Sequence, residues 1–303
     1  MTQAYDLDEV LAWLKASDHR VSRPFSARTS YSDATPPAKL LKAAILDTET
    51  TGTRQGSDKI IELGIVIVEY CPETGQAYRV LETFDQLEDP GFPIPPESTK
   101  IHGITDDMVQ AKRIDDAAVE QLMADVSLII AHNASFDRNF VEVRWPLFRQ
   151  KSWACSYAQV PWKSEGMGSA SLEFLAYRFG FHFSGHRASN DCHALLEVLQ
   201  SPLPDSGRRV MQLLLEKARV PEIKVWALNA PFDHKDRLKE RGYRWDGERK
   251  TWNGSVAPAD LAQEVDALRE QVYANRPFKL ELEKIDAFNR FTSRRGTTEV
   301  VSY

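Results

Sequence analysis

The stretch Ala44-Ile45-Leu46-Asp47-Thr48-Glu49-Thr50-Thr51-Gly52 constrains this chain more than any other, because an apolar run that reads as a buried strand ends in two acids. Side chains alternate along a strand, so Asp47 and Glu49 project from the same face. Two carboxylates held that close repel and keep a shared proton unless a cation sits between them. Hard oxygen donors suit magnesium or manganese, and nothing nearby supplies the Cys or paired His that zinc prefers. Taken alone, an Asp-x-Glu pair is better explained as a strand end with solvated acids before a turn. The decision must come from further along the chain.

Leu7, Val10, Leu11 and Leu14 recur at helical spacing and predict a short amphipathic helix that must dock on something. From Ser22 to Pro37 the residues turn to Ser, Thr, Arg and Pro without periodicity, which reads as a linker. Strands are expected over Lys42 to Thr48, Ile60 to Glu69 and Tyr78 to Phe84, with turn chemistry at Pro72-Glu73-Thr74-Gly75, and a meander of this kind is antiparallel. After a loop from Pro90 to Pro96 the pattern becomes helix, strand, helix: Asp115 to Asp125, Val126 to Ala131, and Phe136 to Trp145. Two more helices follow, Ser171 to Phe179 and Ala188 to Leu199. Strands then alternating strands and helices imply an α/β fold, a mixed sheet with helices packed on it.

The chain has 303 residues, enough for two domains. Composition shifts after Arg219, where a strand (Val225 to Leu228), a helix (Asp233 to Arg241), a hairpin turning at Asp246-Gly247 and a last amphipathic helix (Pro258 to Val272) form a separate small module. The tail from Phe278 to Tyr303 has no clear pattern. No apolar run is long enough to span a bilayer and no secretory signal is visible; with only Cys71, Cys155 and Cys192, spaced for neither metal nor disulfides, a cytoplasmic protein without a membrane is expected. A net charge of −6 argues against a protein that coats nucleic acid non-specifically, though not against an enzyme that meets a phosphodiester through metals and a local basic patch. Such a patch is suggested over Gly207 to Lys250, with twelve Lys or Arg against seven Asp or Glu, interleaved with Trp226, Tyr243, Trp245 and Trp252. In a small module those tryptophans are more often core.

Two further segments bear on Asp47 and Glu49. In Ala131-His132-Asn133-Ala134-Ser135-Phe136-Asp137 an acid opens a helix just after an apolar strand; alone, Asp137 is explained by the helix dipole. In Gly185-His186-Arg187-Ala188-Ser189-Asn190-Asp191 a histidine lies in a Gly-containing loop and Asp191 one turn into a helix; alone, such a histidine is an ordinary surface residue.

Together the three segments, in this order over roughly Ala43 to Leu199, resemble the proofreading-type 3′-to-5′ exonucleases, the DnaQ-like family termed DEDDh. Asp47 to Gly52 match the family's D-x-E-T-T-G, Asn133 to Asp137 its N-x-x-F-D, and His186 to Asp191 its H-R-A-x-x-D. The resemblance implies a ribonuclease H-like domain over 39–220, preceded by an N-terminal helix and linker (1–38) and followed by a small α/β accessory module and tail (221–303). It implies that Asp47, Glu49, Asp137 and Asp191 hold two ions, Mg2+ or Mn2+, and that His186 is the general base. Asn133 and Phe136 would contact the substrate. Ile101-His102-Gly103-Ile104-Thr105 is similar to the family's substrate-gripping element, so Ile101 and His102 would stack on the terminal base; otherwise the segment is a turn capping a helix that starts at Thr105. Thr48 and Thr50 offer an edge to the terminal nucleotide, or serve only β-propensity. The implied substrate is a single-stranded 3′ end, DNA favoured over RNA, with a polymerase or repair protein as a possible partner of the C-terminal module. The rivals are an RNA-trimming enzyme of the same fold and a non-catalytic nucleic-acid-binding or polymerase-associated subunit.

Overall fold

Asp8 and Glu9 favour the start of helix α1 (Leu7–Ala16), since acids in a first turn oppose the dipole. The structure, a computed structural model, describes residues 6–17 and 19–303, apart from the side chains of Leu7 and Lys15. Val10, Leu11 and Leu14 of α1 are half-buried, and Trp13 is exposed. The segment read as a linker is bound rather than loose. Its strand β1 (Arg23–Pro24) pairs in parallel with Phe181–His182. Further on, the Tyr31 N–H donates to the Tyr78 carbonyl (2.8 Å), the Val80 N–H to that of Thr29 (2.9 Å), and Arg28 pairs with Glu197 (2.7 Å). Polar composition alone does not show this, because the bonds are backbone groups meeting distant strands.

The central sheet is built from β2 (Leu41–Thr50), β3 (Ile60–Tyr70) and β4 (Ala77–Leu87), an antiparallel meander. Helix α2 (Pro96–His102), short α3 (Asp106–Val109) and α4 (Asp116–Met123) lead to β5 (Val126–Ala131), which lies parallel to β2. Then come α5 (Ala134–Arg144) and β6 (Trp153–Cys155), parallel to β5, giving the order β4-β3-β2-β5-β6. This is the expected mixed sheet flanked by helices, the ribonuclease H-like arrangement. Short α6 (Ser156–Gln159), α7 (Leu172–Arg178), β7 (Phe181–His182), α8 (Ala188–Gln200) and α9 (Val210–Arg219) follow. The region read as a loop to Pro96 therefore ends in a helix with Pro at its first position, where its missing N–H costs nothing.

The chain divides into two compact units, up to Leu215 and from Glu216 to Tyr303. In the second, β8 (Glu222–Leu228), α10 (Lys235–Glu240), β9 (Arg244–Asp246), β10 (Thr251–Val256), α11 (Leu261–Gln271), β11 (Lys279–Ile285) and β12 (Thr298–Ser302) form an antiparallel sheet of order β12-β11-β8-β10-β9 with two helices. The tail thus supplies two strands, one of them adjacent to β8. Val225, Ala227, Leu238, Leu268 and Leu280 make its core. Trp252 packs on that core and faces Trp245 across the hairpin, rings 5.6 Å apart, while Trp245 stays 53% exposed. Part of the expected cationic face is paired: Arg241 clamps Glu264, Lys239 pairs with Asp236 (3.1 Å), and Arg249 pairs with Glu281 (2.6 Å) and lies over Trp226 (3.8 Å). Among the described residues no helix is long and apolar enough to cross a membrane.

Candidate active site

Asp47 and Glu49 leave β2 on the same side, and α8 brings Asp191 to them. Ligand-capable oxygens of the three lie within 4.8 Å of one another. The approach is possible because Gly64, directly opposite Asp47 on β3, carries no side chain: a Cβ there would stand 2.4 Å from the Ala188 carbonyl carbon and 2.5 Å from the Ser189 nitrogen. Asp137, buried on the first turn of α5, is turned toward Thr48, accepting from its N–H (3.0 Å) and its hydroxyl (2.8 Å). Asp137 stands beside the three-acid cluster, close enough for its charge to raise Asp47.

Burial, and after it the charges of Asp137, Asp191, Glu49 and Glu62, hold the Asp47 carboxyl well above the ordinary carboxylate range. Burial and then Asp191 push Glu49 up to about 8, with Arg187 opposing. Burial takes Asp137 to about 7 against the Thr48 hydroxyl, and Asp191 to about 6 against the Arg187 N–H it accepts at 2.9 Å. A buried set of hard oxygen donors that repel one another fits a divalent cation, which removes the repulsion these values report.

The raised values make pH a lever. A carboxyl with a folded pKa above its unfolded value stabilises the fold below the unfolded pKa, near 4, and loses that contribution as pH rises through the folded pKa. With Asp191, Asp137 and Glu49 at about 6, 7 and 8, the metal-free protein should melt at progressively lower temperature between pH 5.5 and 8.5, by on the order of 5 °C. Added Mg2+ or Mn2+ should raise the melting temperature more at pH 8 than at pH 5.5. A metal-free melting curve independent of pH would refute this account of the cluster.

His186 takes a left-handed backbone (φ 63°) and is half-exposed, its Nε2 3.8 Å from Glu173 Oε1. One group not singled out in the sequence holds this loop. Glu62, fully buried and opposite Glu49 on β3, accepts from Arg187 Nε and Nη2 (2.9 and 2.7 Å) and from the Ala188 N–H (2.9 Å). An acid and a glycine interrupting the apolar run Ile60 to Val68 were the available signal.

The remaining predicted residues are placed as follows. Thr48 and Thr50 are buried, the first spent on Asp137, the second donating its hydroxyl to the Gly52 carbonyl. Asn133 is exposed in a left-handed conformation at the start of α5, and Phe136 half-buried against Phe140, 5.0 Å between centroids. Ile101 is 61% exposed, whereas His102 is buried, its Nδ1 accepting the Ile104 N–H (3.0 Å). Ser98 fastens α2 to the Thr51 carbonyl (2.8 Å), so Ile101 presents an anchored apolar surface.

The family model of the RNase T exonucleases matches residues 44–199, which contain all four acids and His186. The chain belongs to this exonuclease family. Among its relatives, a DNA polymerase III subunit epsilon from Treponema pallidum is 30% identical over 176 residues, 54% of this chain and 77% of that protein. An epsilon-like protein from Rhodobacter capsulatus is 33% identical over 181 residues, and a PolC-type DNA polymerase III from Thermotoga maritima 28% over 193. Those two are far longer: the matches cover 56% and 62% of this chain but 25% and 13% of theirs. A solved exonuclease X with 5′-overhanging duplex DNA is 24% identical, covers 57% of this chain and 97% of its own, and superposes with a TM-score of 0.38. As an exonuclease-family chain this protein carries a hydrolase-type nuclease domain, and its acidic cluster fits a metal site.

Proposed function

We propose that this exonuclease works from 3′ ends toward 5′, releasing nucleoside 5′-monophosphates, with Asp47, Glu49, Asp137 and Asp191 as ligands for two divalent ions, Mg2+ or Mn2+. The observation that carries the reading is the convergence of Asp47, Glu49 and Asp191 within 4.8 Å beside Asp137. When bound, two such ions supply Lewis-acid stabilisation to both oxygens of an in-line displacement. The chain's own residues do the rest. Thr48 orients Asp137 through two hydrogen bonds. Glu62 anchors Arg187 and thereby the loop carrying His186. His186, half-exposed in its loop, takes the proton of the attacking water. Ile101 offers its exposed side chain to the terminal base, and Asn133 and Phe136 meet the substrate from the start of α5, the turn that carries Asp137. Relatives that are DNA polymerase III subunits favour DNA over RNA and support association with a polymerase.

The test is to incubate the protein with 5′-labelled single-stranded DNA, duplex DNA and RNA, in Mg2+, Mn2+ or chelator. The expected result is a ladder shortening from the 3′ end, fastest on DNA, and none in chelator. Full activity in excess chelator, or shortening only from the 5′ end, would refute it. In the same assay His186→Ala should lower kcat/KM by roughly 10²- to 10⁴-fold and flatten the acid limb of the pH–rate profile. A wild-type rate at neutral pH would assign the base elsewhere.

A further inference from the structure

An open groove of about 460 Å³ lies at the edge strand of the central sheet, lined by Asp85, Gln86 and Leu87 of β4 and by Lys112, Arg113 and Arg187. We infer that this groove is a phosphate track that holds nucleic-acid backbone beyond the terminal nucleotide, through Lys112, Arg113 and Arg187. The ligand class rests on the nuclease reading; the cationic site does not.

Three observations carry it. First, both cation-bearing segments are mounted rather than free to wander. The loop with Lys112 and Arg113 is tied to the end of β4 and the residues after it: Asp89 N–H to the Lys112 carbonyl (2.9 Å), Ala111 N–H to Asp89 Oδ2 (3.1 Å), Ile114 N–H to Glu88 Oε2 (2.9 Å) and Asp115 N–H to Gln86 Oε1 (2.8 Å). Arg187 is fixed on buried Glu62 yet keeps 42% of its side chain exposed. Second, the charge is available. Lys112 is exposed and has no ion-pair partner among the described residues, and Arg113 touches Asp116 (3.2 Å) while remaining 77% exposed. Asp85, the acid of the lining, accepts from Ser189 Oγ (2.5 Å). Third, the groove adjoins the acids, since Arg187 both lines it and donates its backbone N–H to Asp191 Oδ2 (2.9 Å). A polyanion approaching four carboxylates on a chain of net charge −6 is repelled unless cations flank the entrance, and guanidinium forks and an ammonium suit phosphate oxygens. The phosphates could come from the strand being cut or from its complement.

The experiment is a salt series of fluorescence anisotropy titrations in an Asp47→Asn background, so that the strand is not consumed, with a labelled single-stranded 20-mer and a duplex with a recessed 3′ end. Lys112→Ala with Arg113→Ala should weaken binding roughly ten-fold at about 100 mM salt and flatten the slope of log K against log salt by about 1.4 on single strands or about 1.8 on duplex. A loss on both substrates assigns the groove to the cut strand, and a loss confined to the duplex to its complement. Lys112→Arg with Arg113→Lys should keep the parent's slope. The proposal is overturned if the alanine pair binds both substrates with the parent's affinity and slope, if the conservative pair loses as much as the alanine pair, or if the parent binds neither. Absence of 3′ trimming by the wild-type protein would defeat the nuclease reading and leave the binding result standing.

Discussion

Asp47→Asn is expected to lower exonuclease turnover by at least about three orders of magnitude while the protein folds normally and, without metal, becomes more stable. Asparagine keeps the volume of the side chain and removes one anionic donor from a set whose oxygens lie within 4.8 Å. Losing several kcal/mol of transition-state charge stabilisation gives a loss of this size. The stability change has the opposite sign because burial and four neighbouring acids all disfavour the ionised form of Asp47 in the fold. A neutral group at this position removes repulsion that grows as the pH climbs toward 8. Stopped-assay rates in Mn2+ and thermal melts in chelator at pH 8 check both halves. A variant within ten-fold of wild type, or one that melts lower than wild type in chelator at pH 8, would show that Asp47 serves the fold rather than the reaction.

Gly64→Ala is expected to cost activity at a distance from any reacting atom. The added Cβ would lie 2.4 to 2.7 Å from backbone atoms of Ala188 and Ser189, which no side-chain rotation relieves. Helix α8 must then lift from β3, taking Asp191 away from Asp47 and stretching the contact of the Cys192 thiol with the Gly64 carbonyl (3.4 Å). Overpacking of this kind costs about 1–3 kcal/mol, and misplacing a functional group by about 1 Å costs on the order of 100-fold in rate. The expected variant is therefore folded, less stable and at least 100-fold slower, with weakened metal-induced stabilisation. Wild-type kcat with a lowered melting temperature would separate the packing role from the positioning role.

Three kinds of information stand apart in this protein. The acid set and the order of its motifs were legible in the chain, because a two-residue strand period places Asp47 and Glu49 together and a helix start places Asp137 and Asp191 at the mouths of α5 and α8. Element types were legible where apolar periodicity was long, as in β3 or α8. They were not legible in the tail, where β11 and β12 become strands only by pairing with β8 and each other, nor in the polar segment after α1, whose bonds go to strands more than forty residues away.

What only the tertiary structure decided follows from contacts between residues distant in sequence. Glu62 meets Arg187 across 125 positions, and neither carries a motif that names the other. Gly64 reads as a weak point in a strand until α8 is laid upon it. Arg241 reads as a surface cation until Glu264 clamps it, and Lys112 and Arg113 read as an ordinary charged loop until β4 sets them beside Arg187. Local chemistry is written in the order of residues along the chain. Which charges are spent on one another and which remain to meet a ligand depends on burial and on partners that the fold alone brings within reach.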